Sequence, residues 1–374
     1  MRRIAMAIAA TANSLSMGMD LAIEVELDGS TREFGPVVSA VANHCADAGC
    51  FAELVKARAD EARTVILAMT NKGFVPFWHN LRCSLERLNV ARHAIVVGTD
   101  MDACMAAAST SVPCVVGDSV LWDVASDSYE RSSGSRLSQG ATNHGTAAYA
   151  RLMHVKARPA LAVLQLGYDL IFTDTDVVWL QNPLRELRTP GSGTSDYNVL
   201  IQSDYDESND AKCSRNEHCR RSTWCDHSTG KCAPEVCGGF YLIRAEAPSI
   251  ALLEALFARM AWQRDHVDER IGEQPALNFV LRRTPGVRYR VLPRAQYPNG
   301  NAYFLRAVWP PPTTLPVLVH ANWITGADAK RERLEQFGLW LLGSAGDRTW
   351  TCAALAVAPA AATHSASMLQ TSII

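Results

Sequence analysis

Short apolar runs alternate with amphipathic stretches along much of this 374-residue chain. The run from Val65 to Met69 predicts a buried strand, and the apolar positions from Phe74 to Leu88 recur at the spacing of one helix face. A second apolar run, AIVVG, ends just before Asp100, and DACMAAA then predicts another helix. This succession of strand, helix, strand and helix is the opening of a doubly wound α/β domain.

The second half of the chain continues the same alternation. Further strands are predicted at YDLIFTD, NVLIQSDYD, GGFYLIRA, YRVLP and PVLVHAN. One helix is predicted over TAAYARLMHVKARPALAVLQLG, with a kink near Pro159 and an end at Gly167. Another is predicted over PSIALLEALFARMAWQRD, with Ser249 as a candidate N-cap. We therefore expect an α/β fold, with a long surface loop over the Ser-, Gly- and Asp-rich residues 123–145.

Composition divides the chain into three parts. Residues 1–61 form a lead-in that reads either as an incomplete start or as a weak signal peptide, and residues 62–346 form the predicted domain. Residues 347–374 are rich in Ala and Ser and predict a peripheral low-complexity tail. No apolar stretch reaches the roughly 18 residues of a transmembrane helix, so we expect no clear membrane span in this chain.

The net charge and the cysteine content indicate which binding partners and which cellular compartment to expect. The net charge of −2, without a basic stripe, gives no case for a nucleic-acid partner. Five of the eleven cysteines lie in a polar insert at residues 213–237, namely Cys213, Cys219, Cys225, Cys232 and Cys237. Because they lack the paired spacing of a zinc site, we expect two disulfides and one remaining thiol. Such disulfides predict an oxidising, lumenal compartment.

Two aspartates one residue apart follow the apolar strand DLIF. In an open α/β sheet, ligands bind beyond the carboxyl ends of the strands, and Asp174 and Asp176 lie at such an end. If the backbone stays extended, both side chains point the same way. Two carboxylates on one side suit a hard divalent cation. The alternative is that they cap a turn or the following helix.

The surroundings of these aspartates favour the metal site. LGYDLIFTDTDVVWLQNP resembles the signature of nucleotide-diphospho-sugar transferases, a family that includes plant and algal arabinosyl-, xylosyl- and galactosyltransferases of cell-wall glycoproteins and pectin. The likeness covers roughly residues 62–340 as an ordered series of short motifs. It implies a GT-A fold with a Rossmann-type mixed sheet, a UDP-sugar donor, a glycan or glycoprotein acceptor, and residence in the Golgi lumen or secretory pathway.

The resemblance implies a nucleotide site at the ends of the first two strands. Thr70 and Asn71, in AMTN, match the family's nucleotide-contact position. Asp100 matches an acidic position expected to hydrogen-bond the ribose or base. The alternatives are a simple turn at AMTN and a helix N-cap at Asp100.

Other matches imply contacts to the diphosphate and sugar. Lys156 stands where the family carries a lysine, although a solvated helix face is the alternative, and Lys330 would cover the diphosphate. In CGGFYLIR, Gly239 matches the family's Asn-x-Gly-Phe motif, but Cys237 replaces the Asn, an exchange that a disulfide with the insert would explain. The implied nucleotide-sugar set also contains Thr175, Asn322 and Gly326.

The resemblance implies that His320, late in the chain, is the third protein ligand for Mn²⁺ or another divalent cation, beside the two aspartates. The alternative is a structural histidine at a strand end. GEQPALN resembles the family's acidic-Gln motif, which assigns Glu273 and Gln274 to the anomeric carbon of the donor sugar. Asp204, at another strand end, is a candidate for the acceptor pocket.

These assignments predict a metal-dependent transferase that moves a pentose or galactose from a UDP-sugar to a cell-wall glycoprotein or polysaccharide. The resemblance implies transfer with retention. Because no protein nucleophile is evident, we expect front-face attack and not a covalent intermediate. The alternative is a non-catalytic lumenal glycan-binding or scaffolding relative. A dinucleotide oxidoreductase would need a G-x-G-x-x-G turn after the first strand, where AMTNKGFVPF has one glycine. A glycoside hydrolase would need two carboxylates on opposing walls of a cleft, and Asp174 and Asp176 are too close in sequence for that arrangement.

Overall fold

A computed structural model describes residues 48–109, 111–117, 146–188, 193–204, 235–268, 272–305, 315–343 and 350–353, together with five two-residue strands. Among the latter, Glu26–Leu27 pairs with Ser30–Thr31, and Cys225–Asp226 pairs with Lys231–Cys232. The predicted loop at 123–145 and most of the insert at 213–237 lie outside the described residues.

One sheet of eight strands organises the described part of the chain, and one further pair of strands lies beside it, in addition to the two short pairs named above. The ten strands are β1 (His44–Cys45), β2 (Thr64–Thr70), β3 (Ala94–Gly98), β4 (Cys114–Val116), β5 (Asp169–Thr173), β6 (Val177–Trp179), β7 (Val199–Ser203), β8 (Val236–Ile243), β9 (Tyr289–Leu292) and β10 (Leu318–His320). The main sheet has the order β9-β7-β8-β5-β2-β3-β4-β1, and β6 pairs with β10.

The main sheet is mixed. Strand β8 runs antiparallel to both neighbours, and every other neighbouring pair is parallel. Strands β2 and β3 are buried along nearly their whole length, as expected for parallel strands covered on both faces. This burial explains their continuous apolar sequence, and the predicted α/β fold is confirmed.

Helices cover both faces of the sheet. They are α1 (Ala48–Arg58), α2 (Val75–Arg87), α3 (Met101–Ala107), α4 (Ala147–Gln165), α5 (Pro183–Glu186), α6 (Ala247–His266), α7 (Glu273–Val280) and α8 (Ala327–Gln336). Short 3-10 turns at Lys72–Phe74 and Ala91–His93 and a π-helical turn at Asn301–Leu305 complete these elements. No helix in the described part of the chain is both long and apolar enough to cross a membrane.

Two helix boundaries test the sequence predictions. Helix α4 is continuous through Pro159, and Gly167 ends the segment at a φ of +79°, as predicted. The predicted N-cap at Ser249 is wrong, because α6 begins two residues earlier and Ser249 lies buried within its first turn. Pro248 favours this earlier start, since its fixed φ suits the first helical positions.

Successive side chains of the central strands β2 and β5 point into two separate hydrophobic cores, one on each face of the main sheet. Leu67 and Leu170 face one core with α1, α4 and α6, whereas Ile66 and Ile171 face the other with α2 and α3. Trp179 of β6 is fully buried in the second core. Strand β6 is thereby fixed against the main sheet, and the chain that links it to β5 is held at both ends.

Two disulfides connect cysteines that are scattered in the sequence. Cys104–Cys114 joins α3 to β4, and Cys83–Cys352 joins α2 to the end of the described chain. Residues 350–353, which lie beyond the predicted domain end at 346, are therefore covalently attached to the domain.

Of the five insert cysteines, Cys237 is the one whose side chain the structure describes. Cys237 is a free, buried thiol, so the suggestion that it bonds to the insert is wrong. It lies within β8, and its sulfur accepts a hydrogen bond from the Gly239 N–H at 3.4 Å. The pairings predicted for the other insert cysteines lie outside the described side chains.

Candidate active site

The carboxyl ends of β2, β5 and β7 open onto a cavity of about 580 Å³. This edge of an open α/β sheet is where ligands bind. The reversed strand β8 contributes its amino-terminal half, while α7 and the segment after β10 supply further walls. The predicted site residues that line the cavity are Thr70, Asn71, Lys156, Asp174, Thr175, Asp176, Asp204, Gly239, Glu273, Gln274, His320, Asn322, Gly326 and Lys330.

The two aspartates of the Asp-Thr-Asp stretch lie in a turn, so the expected extended backbone is wrong. The Asp174 carbonyl accepts a hydrogen bond from the Val177 N–H at 3.2 Å, and the turn occupies Thr175 and Asp176. Strand β6 begins immediately after the turn and pairs with β10, with Val177 opposite His320. This pairing brings the imidazole to the two carboxylates.

Asp174, Asp176 and His320 form a compact group, which we call the Asp–Asp–His group. His320 Nε2 lies 3.2 Å from Asp176 Oδ1 and 3.9 Å from Asp174 Oδ2. One donor atom from each residue can be chosen so that all three lie within 4.8 Å of one another. Two carboxylates and an imidazole form a donor set that suits a divalent cation such as Mn²⁺.

Gln202, on β7, determines which nitrogen of His320 faces the carboxylates. Its amide Nε2 donates to the carbonyls of Tyr297 and Pro298, at 3.1 and 3.0 Å, which fixes the orientation of the amide. The amide Oε1 therefore faces His320 Nδ1 at 2.9 Å and can only accept a hydrogen bond. His320 Nδ1 is therefore the hydrogen-bond donor to Gln202, and Nε2 is the ring nitrogen directed at the carboxylates, as a metal ligand requires.

Lys330 is the cation partner of Asp176. The Lys330 ammonium bonds directly to Asp176 Oδ2, and both side chains are largely buried. Burial alone would raise the pKa of Asp176, but Lys330 and His320 outweigh burial and hold that pKa well below its ordinary value. Asp176 is therefore ionised throughout the neutral range.

Lys156 lines the cavity and lies between two acidic groups. Its Nζ lies 2.9 Å from Asp174 Oδ1, 3.4 Å from Glu273 Oε2 and 2.9 Å from the Gly238 carbonyl oxygen. Burial would lower the pKa of Lys156, but Asp174 and Glu273 raise it well above the usual value. At 3% exposure, Lys156 does not lie on a solvated helix face, so that alternative is wrong.

Glu273 and Gln274 begin α7 and have different surroundings. Burial raises the pKa of Glu273 to about 6, against the lowering effect of Lys156. Gln274 Nε2 donates to Asp204 Oδ2 at 2.8 Å and to Glu235 Oε1 at 3.4 Å. Glu273 is thus a buried acid beside Lys156, and the Gln274 amide bonds to Asp204 and Glu235 near the end of β7.

Of the residues predicted to contact the nucleotide, Thr70 and Asn71 line the cavity, whereas Asp100 caps a helix. Thr70 and Asn71 are buried at the end of β2, where Asn71 Oδ1 also accepts from the Phe74 N–H at 3.1 Å. Asp100 is not among the described lining residues, and its carboxylate caps α3 by accepting from the Ala103 N–H at 2.8 Å. For Asp100, the alternative of a helix N-cap is the arrangement observed.

A family model for nucleotide-diphospho-sugar transferases matches residues 89–334, about two thirds of the chain. The chain belongs to the nucleotide-diphospho-sugar transferase family. The match confirms the resemblance carried by the Asp-Thr-Asp stretch. The mixed sheet with helices on both faces also confirms the GT-A-like architecture expected for this transferase.

Two proteins that are similar in sequence to this chain are named as glycosyltransferases. The UDP-D-xylose:L-fucose alpha-1,3-D-xylosyltransferase 3 of Arabidopsis thaliana is 26% identical over 285 residues, which cover 75% of this chain and 67% of the relative. The UDP-galactose:fucoside alpha-3-galactosyltransferase of Dictyostelium discoideum is 23% identical over 226 residues, 55% of this chain and 30% of the relative. The prediction that this transferase is a glycosyltransferase enzyme is confirmed.

One solved structure with a similar fold is the galactosyltransferase LgtC in complex with donor and acceptor sugar analogues. The two chains share 13% sequence identity, and the match covers 72% of this chain and 94% of that one, with a TM-score of 0.43.

Three residues of the site carry only weak sequence signals. Gln202 is a polar residue inside the apolar run VLIQS, two positions before Asp204. Glu235 borders the cysteine-rich insert, and Trp323 follows Asn322 in the segment that carries His320. A polar residue in an otherwise apolar strand and a tryptophan three positions after the candidate ligand His320 are the signals that could have identified Gln202 and Trp323.

Proposed function

We propose that this nucleotide-diphospho-sugar transferase moves a pentose or galactose from a UDP-sugar to a cell-wall glycoprotein or polysaccharide acceptor, with Mn²⁺ or another divalent cation. The observation that carries the proposal is the Asp–Asp–His group, whose donor atoms meet inside a cavity at the sheet edge. The His320 tautomer set by Gln202 supports metal binding, because it leaves Nε2 free to donate its lone pair.

The chemistry that such a cation supplies is Lewis-acid stabilisation of the departing UDP. Lys330, adjacent to Asp176, provides a positive charge where negative charge develops on the diphosphate. Lys156 is already bonded to Asp174 and Glu273, so its contribution is to hold these acids in place. Thr70 and Asn71 line the β2 side of the cavity, where polar groups can contact the uracil or ribose.

We further propose transfer with retention by attack of the acceptor hydroxyl on the same face from which UDP departs. Glu273 and Gln274 begin α7 at the wall of the cavity, and Glu273 is enclosed with Lys156. A buried carboxylate paired with a lysine is a poor nucleophile, which supports the front-face route over a covalent intermediate.

The relatives and the disulfides support a proposal for the acceptor and one for the compartment. Both named relatives use a fucose or fucoside acceptor, and we extend a glycan acceptor of that kind to this chain. The disulfides Cys83–Cys352 and Cys104–Cys114 support folding in an oxidising compartment, and we propose the Golgi lumen or another part of the secretory pathway.

Calorimetric titration with UDP, in Mn²⁺ and in EDTA, tests this proposal on the full chain. We expect binding that depends on the metal, together with turnover of at least one UDP-sugar. Asp174→Asn is expected to lose metal-dependent UDP binding, whereas Asp102→Asn, an exposed aspartate on α3, should bind as the wild type does. UDP binding without turnover of any donor would favour a non-catalytic glycan-binding or scaffolding relative. No UDP binding in either condition would contradict the proposed donor.

Removing the hydrogen-bond acceptor on Gln202 is expected to weaken Mn²⁺ binding by about 10- to 100-fold, because the His320 ring loses its fixed tautomer and orientation. Gln202→Leu makes this change with nearly the same side-chain size, and a Mn²⁺ titration followed by electron paramagnetic resonance measures it. Gln336→Leu, at an exposed glutamine on α8, is the matched control. Unchanged Mn²⁺ affinity in a folded Gln202→Leu protein would show that Gln202 has no role in positioning His320.

A further inference from the structure

Trp323 is an exposed aromatic side chain at the wall of the cavity. It is 48% exposed, whereas His320, three residues earlier, is 2% exposed. Its φ is +64°, a left-handed conformation that a bulky side chain rarely adopts. Strained backbone of this kind persists only where the surrounding structure determines it.

Hydrogen bonds through Asp204 hold the indole in place. The Trp323 Nε1–H donates to Asp204 Oδ1 at 3.0 Å, and Asn322 Nδ2 donates to the same oxygen at 2.8 Å. Gln274 Nε2 donates to the other oxygen of Asp204 at 2.8 Å. The Asn322 Oδ1 in turn accepts from the Gly300 N–H at 2.6 Å. The ring is therefore fixed in an exposed position, and its apolar face remains available.

The sheet order separates Trp323 from the nucleotide side of the cavity. Asp204 follows β7, and Thr70 ends β2, with β8 and β5 between these two strands. At about 4.8 Å per strand spacing, the two ends lie roughly 14 Å apart. Asp174 and Asp176 follow β5 and lie between them. A UDP-sugar that runs from Thr70 across the Asp–Asp–His group would present its sugar toward Asp204 and Trp323.

Two acidic side chains line this part of the cavity. Glu235 precedes β8 and lines the cavity with Asp204. Burial and the charge of Asp204 raise the pKa of Glu235 to about 7. Carboxyl groups bind sugar hydroxyls well and repel anions, while an aromatic face contacts the apolar face of a pyranose ring. The chemistry at this position is that of a subsite for an uncharged sugar.

We propose that Trp323, Asp204 and Glu235 form the acceptor subsite, and that this subsite takes a neutral pyranoside stacked on the indole. The inference rests on the proposed transferase function. It predicts discrimination between an uncharged acceptor sugar and the corresponding uronic acid, because the carboxylate of the uronic acid would face the carboxylate of Asp204.

Binding of two small acceptors to the full chain, measured by ligand-observed NMR with UDP and Mn²⁺ present, tests the proposal without requiring turnover. The probes are methyl galactopyranoside and methyl galactopyranosiduronate, which differ by one carboxylate. We expect the neutral glycoside to bind at least 10-fold more tightly. Equal binding of the two, or tighter binding of the uronide, would overturn the proposal.

Variants of Trp323 separate the acceptor from the donor. We expect Trp323→Ala to weaken methyl galactopyranoside binding at least 10-fold and to leave UDP–Mn²⁺ affinity within about twofold of the wild type. Trp323→Phe keeps an aromatic face and should retain most of the binding. Trp262→Ala removes a similarly exposed tryptophan on α6 and is the matched control. An unchanged glycoside affinity in folded Trp323→Ala, or a parallel loss of UDP affinity, would contradict the proposed subsite. A failure of UDP binding in the wild type would instead contradict the transferase proposal.

Discussion

Replacing Asp176 with asparagine is expected to reduce sugar transfer by about 1,000-fold or more, because the substitution removes one negative ligand from the Asp–Asp–His group. Asparagine preserves the size of the side chain and the turn after β5. It loses the charge that faces His320 Nε2 at 3.2 Å and that pairs with Lys330. Initial rates of transfer at saturating UDP-sugar, over a range of Mn²⁺ concentrations, measure the effect.

The same substitution leaves the Lys330 ammonium without its carboxylate partner in a largely buried position, which destabilises a fold by roughly 3–5 kcal/mol. Lost stability could therefore imitate lost chemistry. The double variant Asp176→Asn/Lys330→Met distinguishes the two, because it removes the unpaired charge and should recover the melting temperature. Because Lys330 is itself proposed to face the diphosphate, the readout in this double variant is Mn²⁺ affinity, which we expect to stay weaker than in the wild type. Wild-type Mn²⁺ affinity with recovered stability would show that Asp176 acts through folding and not as a metal ligand.

The fold could be predicted largely from the sequence because its strongest signals are local. β2, β3 and β5 are apolar runs of strand length, and their burial on both faces is what produces those runs. The short strands β4 and β6 were missed, because three apolar residues are too few to distinguish a strand from a loop. The start of α6 was misplaced because Pro248 and Ser249 are both acceptable near a helix start.

The candidate site could be predicted wherever a residue ends a strand, as His320 does, or follows one directly, as Asp174 and Asp204 do. The hydrogen bonds that assemble the site join residues far apart in the sequence. Gln202 and His320 are 118 positions apart, and Gln274 and Asp204 are 70 apart. Asp100 fits a local capping pattern and a nucleotide contact equally well, and only its geometry distinguishes them. The cysteine pairings are likewise non-local, with 269 positions between Cys83 and Cys352.

Substituting Gly239 with alanine is expected to abolish metal-dependent UDP binding, a loss of at least about 100-fold, while β8 remains in place. A Cβ atom on Gly239 would lie 2.1 Å from His320 Cε1 and 2.8 Å from Asp174 Oδ2, so two ligands of the Asp–Asp–His group would have to move. The backbone of Gly239 does not have a positive φ, and alanine can adopt its strand conformation. UDP calorimetry with Mn²⁺, together with circular dichroism for the fold, measures the outcome.

Gly238 provides a graded comparison on the same strand. A Cβ atom there would lie 3.2 Å from Glu273 Oε1, a contact that a small movement of one carboxylate relieves. Gly238→Ala should therefore lose much less UDP affinity than Gly239→Ala. The double variant Gly239→Ala/His320→Ala removes the steric conflict with the imidazole, so it should melt at a higher temperature than Gly239→Ala and still fail to bind UDP in a metal-dependent way. Wild-type UDP affinity in Gly239→Ala would mean that the nucleotide-sugar is held without His320 and Asp174, and the metal site would then have to lie elsewhere in the cavity.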